Sequence, residues 1–64
     1  MESDVMSLLI QQMDEEKLTM AEALVNGSAT DFPEYRRMVG VIRGLELGQR
    51  IVGEMAERLR RQDE

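Results

Sequence analysis

The stretch Asn26-Gly27-Ser28-Ala29-Thr30-Asp31-Phe32-Pro33-Glu34 constrains this chain more than any other, because it closes one helix and opens another near the middle of 64 residues. Asn26 to Thr30 are turn formers, and Gly27 stands where a helix commonly places the glycine just past its last turn. Asp31 is placed to cap the next helix, Pro33 suits a first turn that needs no N–H, and Glu34 follows the cap by three residues. A connection this short folds the second helix back antiparallel on the first. The predicted architecture is all-α: a single-domain, antiparallel two-helix hairpin with helix 1 about 4–26, a turn over 27–31 and helix 2 about 32–60. Asn26-Gly27-Ser28 also matches the glycosylation acceptor pattern; without a secretion signal it reads only as a turn.

Each half carries an apolar seam. In the first, Met6, Met13 and Met20 recur every seven residues, with Leu9, Ile10, Ala21 and Leu24 filling the same face and Ser3 or Asp4 as N-cap. Asp14-Glu15-Glu16-Lys17 interrupts that seam, with Glu16 and Lys17 falling on the face to be buried. Thr19-Met20-Ala21-Glu22 has the form of a capping box, so a break near 16–19 is an alternative to the favoured single helix. In the second half, Tyr35, Met38, Ile42, Leu45, Val52, Ala56 and Leu59 share one face, and Gln49 is the only polar residue among them. The pairs Glu46–Arg50, Glu54–Arg58 and Glu57–Arg61 have the favourable i,i+4 order on the outer face, and residues 61–64 are expected to fray.

Gly40, Gly44 and Gly48 sit four residues apart inside the second helical segment. Three interior glycines together cost a helix about 3 kcal/mol relative to alanine, so packing elsewhere has to offset them. They form a strip without side chains beside the apolar face, next to Val41, Ile51 and Met55. The favoured reading is close packing of another backbone, from helix 1 or a neighbouring chain; tolerated glycines and a small-molecule groove are the alternatives. The strip does not resemble a phosphate-binding loop, which joins a strand to a helix. Gly53 lies on a different azimuth, and a local weakness or bend between 48 and 53 is expected.

A chain of 64 residues buries only about 60% of the surface its unfolded form exposes. Disulfides, a metal or oligomerisation usually supplement so small a core, and with no cysteine and no histidine the third is favoured. The hairpin is thus expected to be oligomeric or docked on a larger assembly. An acidic N-terminus and no apolar run beyond Leu8-Leu9-Ile10 leave no signal peptide or membrane span, which makes a soluble, intracellular protein the expectation. The net charge of −5 is uneven: residues 1–31 hold seven acids and Lys17, whereas residues 32–64 hold six acids and seven arginines. This asymmetry favours pairing of the two halves, within one chain or between chains.

No catalytic, cofactor-binding or metal-ligating set emerges. Asp14-Glu15-Glu16 has no histidine and no second convergent acidic motif, in a chain too small to enclose a substrate pocket, and reads as a solvated run. Arg36, Arg43 and Arg50 form a heptad-spaced stripe suited to phosphates or an acidic protein surface, or to a solvated face with intrahelical pairs. Absent interleaved aromatics and a negative total disfavour nucleic acid. The six methionines, Met1, Met6, Met13, Met20, Met38 and Met55, read as ordinary core or as a soft docking face.

Over residues 31–48, from Asp31-Phe32-Pro33-Glu34-Tyr35 through Gly40-Val41-Ile42-Arg43-Gly44-Leu45, and with the charged helical tail about half the chain, the sequence resembles short proteins encoded among the head and neck structural genes of tailed bacteriophages. These share an acidic-aromatic-x-acidic-Tyr start, a Gly-x-Ile-x-Gly-Leu core and a charged helical tail. The resemblance implies a non-enzymatic, multicopy role in virion assembly or in the mature particle, in the virion or host cytoplasm, with no cofactor and no binding residue to carry over. Helix-in-groove packing is the expected mechanism. The seam of Met38, Ile42, Leu45, Val52 and Leu59 meets the Met6, Met13 and Met20 face, while the glycine strip accepts a further helix from another copy or a larger phage structural protein. The alternative is a small regulatory or inhibitory protein that occupies a groove on a host or phage enzyme.

Overall fold

The computed structural model describes residues 2–63, with side chains placed from Val5 to Gln62. Met1 and Glu64, named above with the methionine face and the fraying tail, lie outside the described residues. Helix α1 spans Glu2–Val25 and helix α2 spans Phe32–Asp63, and the two pack against each other as a hairpin. At 1.5 Å rise per residue they are about 36 Å and about 48 Å long.

α1 is one continuous helix. The Thr19 hydroxyl donates to the Glu15 carbonyl at 3.0 Å, so Thr19 is an interior threonine bonded to the preceding turn and starts no new helix. Ser3 and Asp4 lie inside a helix that already includes Glu2, and neither is its N-cap. At the other end, Gly27 has φ of 81°, its N–H donates to the Leu24 carbonyl at 3.1 Å, and the Ser28 N–H donates to the Ala23 carbonyl at 2.9 Å. This pair of bonds is the Schellman closure, and the left-handed backbone it needs is open to glycine without steric cost.

The start of α2 follows the predicted cap in part. The Glu34 N–H donates to Asp31 Oδ1 at 2.8 Å, and the Tyr35 N–H to the Asp31 carbonyl at 3.0 Å. The Glu34 carboxylate does not reach back to complete the box; it accepts two bonds from the Arg37 guanidinium, at 3.1 and 2.6 Å. That hydrogen bonding holds the Glu34 carboxyl below its usual range. α2 runs unbroken through Gly48 and Gly53 and continues to Asp63, past the predicted end at Arg60. Arg60 and Arg61 in its last turn complement the negative end of the helix dipole.

Two helices can cover only a narrow strip of each other. Among the described residues Met38 alone is buried, at 3% exposure, and Met6, Ile10, Met13, Met20, Leu24, Ile42, Leu45 and Val52 are half-buried along the seam. Tyr35 and Leu59, predicted on the buried face of α2, are exposed, as is Leu9 on α1. Each lies at the edge of an apolar face wider than one partner helix can shield. Glu16, predicted to face inward, is exposed, and only Lys17 of that pair turns toward α2.

Candidate protein-interaction surface

Two contacts mark the two sides of the α1–α2 seam. On one side the Met13 methyl fills the space left by Gly48, so that a Cβ added there would stand 3.0 Å from Met13 Cε. Gly48 therefore belongs to the hairpin interface. Gly40 and Gly44 do not: a Cβ at either would meet nothing within 4 Å, and both are exposed. The strip is split between one glycine that admits α1 and two that face open space.

The other side is polar. Lys17 Nζ, on a side chain only 23% exposed, lies 3.7 Å from Asp14 Oδ1 and 3.8 Å from Glu46 Oε2. The Gln49 amide donates to the Ile10 carbonyl at 3.0 Å and to Asp14 Oδ1 at 2.7 Å. The half-buried Gln49 amide is thus satisfied across the seam, as a group withdrawn from water requires, and Lys17 faces one carboxylate of its own helix and one of α2 at ion-pair distance. Glu46 is turned to Lys17, and neither the predicted Glu46–Arg50 pair nor Glu54–Arg58 forms among the described residues. Glu57–Arg61 does form, at 3.7 Å, and Glu57 also pairs with Arg60.

This ion pair runs against the charge asymmetry of the chain. It joins the lone base of the acidic half to an acid of the basic half. Arg36, Arg43 and Arg50 are exposed and make no ion pair among the described residues. Arg36 instead lies over the Phe32 ring at 5.8 Å, and Phe32 stacks on Tyr35 with centroids 6.2 Å apart. Among the described residues no acid of α1 pairs with an arginine of α2.

The surface is rich in large apolar side chains. Val5, Leu8, Leu9, Leu47, Ile51, Met55 and Leu59 are exposed on the half of the hairpin away from the turn, and Leu18, Val25, Phe32 and Tyr35 toward the turn. Several of these, among them Val5, Leu8, Leu18 and Leu47, belong to neither predicted seam. Val5 and Leu47 are signalled in the sequence by rows at four-residue spacing, Val5-Leu9-Met13 and Leu47-Ile51-Met55-Leu59, whereas Leu8 and Leu18 fall in neither row. Near the turn, Leu18, Ala21, Glu22, Val25 and Asn26 line a shallow open groove.

A folded monomer of 7.3 kDa is expected to expose about 4,200 Å². This hairpin exposes 5118 Å², about 900 Å² beyond that scaling. Its radius of gyration of 14.9 Å likewise exceeds the ~11 Å of a compact chain of this length. No helix among the described residues is long and apolar enough to cross a membrane, and no cluster of acids among them is arranged to hold a metal ion. No protein-family model, curated protein or solved structure matches the chain.

Proposed function

We propose that this chain is a non-enzymatic packing module that acts by docking its exposed apolar faces on other protein, as a small structural or assembly component of a tailed-phage particle. The observation that carries the reading is the ratio of covered to uncovered apolar side chains: one buried methionine against eleven exposed large hydrophobics among the described residues. Patches of this extent on a small soluble chain mark protein interaction surfaces. The excess surface of about 900 Å² is close to the ~800 Å² that one partner contributes to a standard interface. The particle assignment rests on the resemblance of residues 31–48 to short head and neck proteins of tailed phages.

Quantifying the chain in purified particles tests this reading. A component should be present at a copy number set by the particle's symmetry, and its absence from particles sinks the assignment. Recovery with a single host enzyme at a fixed ratio, together with a change in that enzyme's activity, would replace it with the regulator reading.

A further inference from the structure

The geometry points to a second copy of this chain as the partner of the open end of the hairpin, with α1 of each copy lying along α2 of the other in a two-fold four-helix bundle. This deepens the packing reading above and rests on it. Leu9 and Val5 precede Met13 by four and eight residues, and so continue along its side of α1. Ile51, Met55 and Leu59 follow Gly48 by three, seven and eleven, the spacings that hold one side of a helix. Because Met13 meets Gly48 and the helices are antiparallel, both sets fall on the same broad face at the same end. Leu8, 64% exposed, extends that face around the outer edge of α1, and Ile51, 53% exposed, around the outer edge of α2.

Charge and symmetry then select the arrangement. A two-fold axis perpendicular to the helices would lay α1 on the partner's α1, placing one acidic half on another, and would set each apolar open end against the partner's turn. A two-fold axis parallel to the helices brings the open ends together and lays each acidic α1 along the partner's α2. That order sets the acids of α1 beside the arginines of the partner's α2, which are unpaired with α1 within one hairpin. It also sets the partner's α1 over Gly40 and Gly44, where the absence of side chains lets a backbone approach.

The test combines mass with cross-linking on the full chain, which has no native cysteine. Sedimentation at micromolar concentration should give twice the 7.3 kDa chain mass. Ile51→Glu should reduce it to one chain, whereas Leu18→Glu on the opposite side should leave it unchanged. Mixing two single variants, Leu8→Cys and Ile51→Cys, under mild oxidation should give mainly the heterotypic disulfide, a readout that does not depend on a folded Ile51→Glu chain. A monomer of the native chain, a mass above the dimer, loss of mass with Leu18→Glu, or predominant Leu8→Cys homodimers would each overturn the arrangement. The two readings also fail separately: a monomeric chain found in particles removes the self-pairing alone, and a dimeric chain missing from particles removes the particle assignment alone.

Discussion

Replacing single glycines of α2 by alanine isolates the contact that makes Gly48 different from its neighbours. At Gly53 an added Cβ meets nothing within 4 Å, so Gly53→Ala should express the bare helix preference, about 1 kcal/mol of stabilisation. At Gly48 the same preference applies, but the new Cβ would stand 3.0 Å from Met13 Cε, and that methyl must move by a few tenths of an ångström. That methyl is the free end of a flexible side chain, so the shift costs only part of the off-rotamer penalty of about 0.5–1.5 kcal/mol. Gly48→Ala should therefore trail Gly53→Ala by about 0.5 kcal/mol. The assay is urea unfolding followed by far-ultraviolet circular dichroism, with all variants at one low protein concentration and a common slope m. Repeating Gly48→Ala in a Met13→Ala background should restore the missing stabilisation, a coupling of about 0.5 kcal/mol in a double-mutant cycle. Equal stabilisation at both glycines, or no coupling to Met13, would refute the assignment of Gly48 to the hairpin seam.

Met38→Ala removes the only buried side chain among the described residues and should cost about 2–5 kcal/mol, enough to unfold a hairpin this small in a thermal scan. Gly27→Ala forces a Cβ into the left-handed region at φ of 81° and should cost about 1–2 kcal/mol by urea titration. Because Arg37 lowers the Glu34 carboxyl in the folded state, its contribution is fully present above the unfolded-state value and is lost as pH falls through the folded one. Glu34→Gln should remove that acid-side dependence, and a stability profile with the same acid slope would contradict the pairing.

The hairpin and its joint were legible from local chemistry. The Asn26-Gly27 ending and the Asp31-Phe32-Pro33-Glu34 start use backbone rules that act within four residues, and the structure realises them through the Schellman bonds and the Asp31 cap. What sequence reasoning missed depends on how much area two helices can cover. Periodicity makes the faces of α1 and α2 as wide as their apolar residues, whereas each helix shields only a strip of the other, leaving Leu9, Tyr35 and Leu59 at the margins. The glycines illustrate the same limit: spacing placed Gly40, Gly44 and Gly48 on one strip, but only the position of Met13 separates the packed one from the two that are open. Lys17 was correctly placed facing inward, and its partner came from across the seam, as Glu46 turned away from Arg50 to meet it.

The amide of Gln49 has a consequence for how the two helices find their alignment. A seam of methionines sets the depth of contact but hardly the axial position, because an unbranched thioether repacks readily when its neighbour slides by a residue. The Gln49 amide tolerates no such slide: away from Ile10 and Asp14 it would be a half-buried donor without acceptors. The Gln49 bonds, with the Lys17–Glu46 pair beside them, thus index an otherwise soft seam, much as one buried asparagine sets the register of a coiled coil. The same index would be read identically if α1 came from another copy, so exchange of helices between chains would preserve the alignment.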